Sequence, residues 1–254
     1  LPDSAVNPLI LKCMDFSNRI CLKKRCRIAV QTKDYAGHSR VAYRYQDKFT
    51  ETATPIKDYN RKEVTHEKGK TVIGFCGRLV QEKGIDVLLK AYEILCREAE
   101  PLILKIGGDY KGVAGGSIYA DLKRYVEDHH LQNVVFTGKL REEEMEEFYS
   151  SLDVFVLPSI NSLEAFGMVQ VEAMYCGTPV VATDLYGVRT IVEKTGMGVV
   201  VKRNNPESLA EGLREVLCHK EKYVKSKEEI QKFYGTAHCI AVYEQIMNEM
   251  GQKK

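Results

Sequence analysis

The stretch TVIGFCGRLVQEKGIDVLLKAYEILC (71–96) decides the architecture. Its first six residues are close to continuously apolar and open on the β-branched run Thr71, Val72 and Ile73. A strand that faced water on one side would alternate; this one reads as buried on both faces, as in a parallel sheet. Gly77 then breaks the run, and a charged loop follows that contains Arg78, Glu82 and Lys83. After Gly84 the period changes. Ile85, Leu88, Leu89, Tyr92 and Leu95 recur at three- and four-residue spacing, which places one apolar stripe along a helix.

Downstream the same strand-then-helix unit repeats. LILKIG (102–107), NVVFT (133–137), DVFVLP (153–158), PVVAT (179–183) and GVVV (198–201) read as further buried strands. YADLKRYVEDHH (119–130) and REEEMEEFYSSL (141–152) read as helices between them. Alternation of this kind predicts an α/β fold, a parallel sheet wrapped by helices with ligands outside the carboxyl ends of its strands. The chain after Pro206 reads as helical throughout, with YGTAHCIAVYEQIM (234–247) as a final packed helix.

Upstream the pattern is thinner. NPLILKCMDFSNRICLKKRCR (7–27) is amphipathic and basic, RIAVQT (27–32) is a strand, KDYAGHSRVAYRYQ (33–46) a short helix and FTETATPI (49–56) an extended segment. That is an incomplete α/β unit with too few strands to close a sheet. KDYNRKEVTHEKGK (57–70) is polar and non-periodic, so it reads as a linker. The expected organisation is therefore 1–56, a linker over 57–70, and a larger domain over 71–254.

Composition narrows the function classes. The 254 residues carry a net charge of +2, so no global charge points to nucleic acid. No apolar run approaches the roughly 18–20 residues that span a bilayer, and the opening residues lack a signal-peptide pattern. None of the eight cysteines forms a Cys-x-x-Cys pair. They are expected as reduced packing thiols of a cytoplasmic protein.

Four strand ends carry chemistry. Gly77 permits a tight turn, and Arg78 and Lys83 follow it beside a helix start. Two cations at that spacing suit a diphosphate, or else are solvated charges flanking a turn. PSINSLEAFGMVQVE (158–172) leaves a strand and enters a helix. Glu164 falls in the loop, Glu172 more than a turn inside the helix, and the free N–H groups near Phe166 and Gly167 lie between them. The two carboxylates either address different parts of one elongated ligand, or act as a helix cap and a surface residue. Gly107 and Gly108 allow close backbone approach, and Lys139 and Leu140 end a strand where backbone groups pair with a nucleobase edge or simply link two elements. Gly-x-Gly-x-x-Gly and the phosphate-binding Gly-x-x-x-x-Gly-Lys motif are both absent. Asp128-His129-His130 ends a polar helix without matched ligands, so no metal is expected there.

These ordered motifs resemble family 4 of the retaining glycosyltransferases, whose two-domain architecture is termed GT-B. Residues 71–250 look like its entire Rossmann-like donor-binding domain, and residues 1–56 like the later part of its N-terminal acceptor domain. The resemblance implies that Arg78, Lys83 and Glu164 are catalytic, the two cations on the donor diphosphate and Glu164 on the sugar. It implies donor binding by Gly77, Gly107, Gly108, Lys139, Leu140, Phe166, Gly167, Met168 and Glu172, with Glu172 on the ribose. It further implies a metal-free, cofactor-free transfer of a hexose from a UDP- or GDP-sugar to a saccharide or lipid-linked acceptor, as in polysaccharide biosynthesis. Where that family often has Gly-Gly-x-x-Glu, this chain has Tyr186-Gly187-Val188-Arg189-Thr190. The acidic position is Thr190, so its role does not carry over. Alternatives are a nucleotide-sugar epimerase or phosphorylase of the same architecture, and a donor-binding piece without chemistry. The basic segment 12–27 is either a packed helix with a solvated face or a peripheral contact with the cytoplasmic membrane surface.

Overall fold

The computed structural model describes residues 8–24, 27–52, 54–64, 69–97 and 102–251. The first elements are α1 (Pro8–Lys23), β1 (Ile28–Val30), α2 (Lys33–Gly37), a 3-10 run (Ala42–Lys48) and β2 (Phe49–Glu51). Next come β3 (Thr71–Cys76), α3 (Ile85–Cys96), β4 (Leu102–Gly107), α4 (Tyr119–Asp128), β5 (Val134–Gly138) and α5 (Met145–Ser150). The chain continues through β6 (Val154–Leu157), α6 (Met168–Tyr175), β7 (Val180–Thr183), α7 (Arg189–Thr195) and β8 (Gly198–Val201). It ends with α8 (Pro206–Cys218), α9 (Lys220–Tyr223), α10 (Lys227–Tyr234) and α11 (Thr236–Gly251). By contact these elements form two units, one of residues 1–55 with 236–254, the other of residues 56–235. The expected split ran through 57–70 and kept the last helix with the larger domain; here α11 groups with the N-terminal unit.

In the larger unit all six strands are parallel, in the order β5-β4-β3-β6-β7-β8. The chain starts in the middle, at β3, builds outward to β5, then returns to β6 and builds the other way. Between β3 and β6 the winding reverses, and the loops leaving these two strands diverge. In open α/β sheets a crevice opens at that point, outside the carboxyl ends.

Strand periodicity sorts the core into two layers. Ile73, Phe75, Leu104, Ile106, Val154, Val156 and Val181 face α3, α4 and α8. Val72, Ile103, Phe155, Leu157, Val180 and Ala182 face α5, α6, α7 and α10. Successive side chains alternate between the layers, and both layers are apolar, which is why the strands read as unbroken hydrophobic runs. Segment 54–64 has no regular secondary structure, yet Ile56 and Tyr59 are buried in this unit's core. The Asn60 N–H donates to Glu146 and the Lys62 N–H to Ser150 Oγ. Its polarity reflects hydrogen bonding to α5 as well as solvation.

In the smaller unit β1 and β2 pair in parallel over three residues. Lys48 donates from Nζ to the carbonyls of Leu22 and Lys24 at 2.7 and 2.9 Å, capping the carboxyl end of α1 with a positive charge. Helix α1 buries none of its residues. The helix expected over 33–46 instead divides into α2 and the 3-10 run. Thr32 caps α2 through its side chain, and the poor helix formers Gly37, His38 and Ser39 end it. Packing accounts for fewer cysteines than expected: Cys13, Cys21, Cys96 and Cys218 are exposed, and Cys176 and Cys239 are buried. The exposed four lie in helices, on faces that the apolar stretches around them do not bury.

Candidate active site

The loops leaving β3, β4 and β5 are laced edge to edge. The Gly77 N–H donates to the Gly107 carbonyl at 3.0 Å, the Gly108 N–H to the Gly138 carbonyl at 2.8 Å, and the Leu79 N–H to the Asp109 carbonyl at 3.0 Å. Gly108 has φ +142°, and a Cβ there would run into the Gly77 carbonyl. Only glycine lets the two loops come this close. On the other side the Ile160 N–H donates to the Glu82 carbonyl at 3.0 Å, joining the β3 loop to the β6 loop. Thr183 Oγ1 then donates to the Ser159 carbonyl at 2.7 Å, which adds the end of β7.

Into this rim project the charged residues. Lys83, at the end of a short 3-10 turn (Gln81–Lys83), forms an ion pair with Glu164 across 81 residues of sequence. Both side chains are largely covered, 19% and 17% exposed, so the pair is less screened than a surface bridge. Ser159 Oγ donates to the same Glu164 oxygen at 3.4 Å. Asn161 shapes the loop that carries Glu164. Its Oδ1 accepts from the Leu163 N–H at 3.0 Å, and its carbonyl accepts from the Glu164 N–H at 3.1 Å. Arg78 is half exposed; one guanidinium nitrogen meets Glu82 at 2.7 Å and the other donates to the Ala114 carbonyl at 2.8 Å. Arg78, Glu82, Lys83, Ser159, Asn161 and Glu164 line one cavity of about 230 Å³.

Glu172 does not line that cavity. It sits on α6, largely buried, and Tyr149 of α5 donates its phenol hydroxyl to Glu172 Oε2 at 2.8 Å. Burial lifts the Glu172 carboxyl above the usual carboxylate range, opposed by the Tyr149 hydrogen bond and the charge of Lys57. The Cys76 thiol, last in β3, is pushed up to about 12 by burial and then by the Glu172 charge. The Glu172 charge thus bears on the residue that precedes the Gly77–Arg78 loop.

The remaining expected residues take varied places. Phe166 turns its ring into the core, edge-on to Tyr234 at 5.8 Å, so only its backbone faces the loop. Gly167 caps α6 with φ +80°, and Met168, first in the helix, is exposed. Leu140 packs against the core, while Lys139 is 77% exposed with Asp109 at 3.8 Å. Thr190 is buried and donates to the Gly187 carbonyl at 2.5 Å; Arg189 stacks over the Tyr186 ring at 5.0 Å. That hydroxyl ties the turn that opens α7, a local structural task.

Three partners had no signature in the sequence. Glu82 and Ser159 lie inside the quoted stretches, but nothing in the sequence marks them as partners of Arg78 and Glu164. Tyr149 sits in an amphipathic helix whose apolar stripe accounts for it fully. Gln170 is likewise hidden: its buried amide nitrogen donates to the carbonyls of Phe166 and Val188 at 3.1 and 3.2 Å, fastening the β6 loop to the β7 loop.

A larger cavity, about 470 Å³, lies at the opposite edge, where β4 and β5 begin. Its one carboxylate, Glu93, already accepts from Tyr125 at 2.6 Å and contacts His129 and Arg97 at 3.1 and 2.6 Å. The hydrogen bond from Tyr125 holds Glu93 below the usual carboxylate range. His129 closes α4 as its C-cap. Among the described residues no group of three or more His, Cys, Asp and Glu side chains is placed to hold a metal ion, and no helix is long and apolar enough to cross a membrane.

Comparison with known proteins falls on the same region. The family described as "Glycosyl transferases group 1" matches residues 56–233. An uncharacterized glycosyltransferase of Methanocaldococcus jannaschii is 28% identical over 74% of this chain and 51% of its own length. The D-inositol 3-phosphate glycosyltransferase of Corynebacterium jeikeium is 35% identical over 66% of this chain and 40% of its own. This chain thus spans about half the length of the curated relatives it matches. Among solved structures, the sucrose-phosphate synthase of Thermosynechococcus elongatus superposes with a TM-score of 0.75 at 20% identity, covering 96% of this chain and 63% of that one.

Proposed function

Because the chain belongs to the glycosyl transferases group 1 family, we propose that residues 56–235 bind the nucleoside-diphosphate sugar from which a retaining hexosyltransferase draws its hexose. The acceptor in this reading is a saccharide or a lipid-linked sugar, and residues 1–55 belong to the acceptor side. Retention and acceptor class rest on the motif resemblance. What supports the donor site is one observation, the convergence of Arg78, Lys83 and Glu164 on a single cavity at the switch point of the sheet.

The barrier to such a transfer lies in parting an anionic nucleoside diphosphate from a sugar that becomes oxocarbenium-like. Arg78 and Lys83 would meet the charge that builds on the diphosphate, and the first N–H groups of α6 would add to them. Each charge-assisted hydrogen bond contributes about 1.5–3 kcal/mol, less what Arg78 and Lys83 give up in leaving Glu82 and Glu164. Glu164, held beside Lys83, would accept hydroxyls of the sugar, and Glu172 those of the ribose. In this reading no step needs a metal, because the two cations take the leaving-group charge.

Calorimetric titration with UDP-, GDP- and ADP-sugars, followed by product analysis with saccharide acceptors, tests the proposal. One nucleotide class is expected to bind, with Arg78→Ala and Lys83→Ala each weakening it about tenfold or more. The assignment fails if no nucleotide sugar binds, or if both variants bind as the parent does. Binding without transfer would instead favour a donor-binding module. An epimerised or phosphorolysed donor would reassign the chemistry.

A further inference from the structure

Tyr149 is one of the most completely buried large side chains, and its placement is over-determined. Its ring lies 5.7 Å from Phe148, 5.5 Å from Phe155 and 6.1 Å from Tyr59, each at a steep angle. The Thr178 hydroxyl donates to its backbone carbonyl at 2.7 Å, pinning the end of α5. A phenol fixed on all sides cannot swing to seek a partner, and a buried hydroxyl needs one. Its acceptor is Glu172 Oε2 at 2.8 Å. Among the described residues no protein donor reaches the other Glu172 oxygen. The phenol thus fixes the carboxylate through one of its two oxygens.

We propose that Tyr149 is a positioning residue for Glu172, orienting its carboxylate toward the donor's ribose and favouring its charged form, so that nucleotide binding persists to lower pH than Glu172 alone would allow. This rests on the donor-site reading above. The ionised carboxylate is acceptor-only and negatively charged, so it receives the ribose hydroxyls more strongly than the protonated acid, one of whose oxygens has become a donor. Desolvation raises the tendency of Glu172 to take up a proton, and the Tyr149 hydrogen bond opposes it. The other groups that face Glu172 are Cys76 of β3, Cys176 beyond α6, and Tyr59 and Lys57 of the segment before β3. Cys76, Cys176 and Tyr59 are pushed up to about 12, chiefly by burial, and Tyr149 well above its ordinary value. None of these four changes charge between about pH 5 and 9. The pH dependence then belongs to Glu172.

The test is the affinity of the chain for UDP, GDP and ADP, measured by calorimetry from pH 5 to 8. Parent protein is expected to bind one of them, more weakly as the pH falls. Tyr149→Phe removes the donor and should move the midpoint of that loss up by about one pH unit, with affinity at pH 8 reduced less than about threefold. Glu172→Gln should flatten the profile. Thr178→Val loosens the same helix end without touching the phenol; it should lower the melting temperature and leave the midpoint in place. Should Tyr149→Phe not fold, 3-fluorotyrosine at position 149 keeps the ring and makes a stronger donor, and the midpoint should move down. If no nucleotide binds the parent, the donor-site reading fails and carries this inference with it. If the parent binds but neither change at position 149 moves the midpoint, the role of Tyr149 is overturned and the donor site stands.

Discussion

Replacing Gly84 by alanine should damage fold and site together. Gly84 has φ +64° and ψ +30°, between Lys83 and the first residue of α3. Alanine in that left-handed region costs about 1–2 kcal/mol. A second cost is steric. The added Cβ would meet the Pro158 carbonyl and would stand 3.0 Å from Ile160 Cγ2. One obstacle is backbone at the end of a buried strand, so relief requires the β3 and β6 loops to part, and overpacking of this kind costs about 1–3 kcal/mol. The sum is about 3 kcal/mol, or a fall in melting temperature of roughly 6–12 °C for a unit of this size. Gly112→Ala is the control: φ is +61° there too, but nothing lies within 4 Å and the loop is free to adjust. Both substitutions stiffen the unfolded chain equally, so their difference isolates the close approach of the two loops. The chain has no tryptophan, so melting is best followed by circular dichroism. If Gly84→Ala melts no lower than Gly112→Ala, the loops are not packed as described.

Three further outcomes follow from the same geometry. Glu172 binds its proton more readily folded than unfolded, so its ionisation subtracts stability as pH rises above the ordinary carboxylate range near about 4.3. Glu172→Gln, which can still accept from Tyr149, should melt higher than the parent at pH 8 and level with it near pH 4; equal melting at both pH values would contradict this. Gln170→Leu strands the Phe166 and Val188 carbonyls and should cost about 1–3 kcal/mol in urea titration, with a matching loss only if both bonds hold in solution. Tyr92→Phe removes a hydroxyl that donates to the Leu102 and Gln132 carbonyls at 2.8 and 2.9 Å. It should cost about 1–2 kcal/mol and leave nucleotide affinity unchanged, since it lies at the far edge of the sheet.

What the sequence displays is what local periodicity encodes. β3, β4 and β8 fall where the apolar runs place them; β7 starts one residue later, β5 is displaced by one residue, and β6 is one residue shorter at each end. The reason is that both sheet faces are buried, so no polar alternation blurs the runs. The order of the strands is a different matter. β3 neighbours β4 and β6 because the winding reverses, and no residue in either strand announces that. At the site, Arg78, Lys83, Glu164 and Glu172 stand out because charges beside glycine turns at strand ends are locally conspicuous. Their partners do not. Lys83 meets Glu164 across 81 residues and Tyr149 meets Glu172 across 23; such pairings are set by the stacking of loops and helices, which periodicity does not specify. Residues 33–46 show the opposite failure: the stretch reads as one short helix, but weak helix formers at Gly37–Ser39 divide it.

The pairing of the two cations also bears on the proposed diphosphate site. Lys83 is mostly covered by protein and lies beside the start of α3. A covered, unpaired charge would be costly to desolvate. Glu164 offsets it within the protein, and Glu82 does the same for the more exposed Arg78. In the proposed function a diphosphate entering the cavity finds its two cations already engaged, so binding exchanges one carboxylate partner for a phosphate rather than creating a contact from nothing. The net affinity from each cation is then the difference between two charge-assisted bonds, smaller than either one. The exchange has a second effect that a simple attraction lacks. Once phosphate takes Lys83, the Glu164 oxygens lose their cation and are left to Ser159 and to whatever hydroxyl lies beside them. Diphosphate binding thereby frees the carboxylate that would hold the sugar. In the proposed function, diphosphate and sugar contacts would be coupled through one ion pair, and a Glu164→Gln variant separates them: it should retain or tighten its hold on a bare nucleoside diphosphate, because Lys83 no longer has to leave a partner, while losing affinity for the nucleotide sugar. Equal losses for both ligands in parallel calorimetric titrations would show that Glu164 supports the loop rather than exchanging partners.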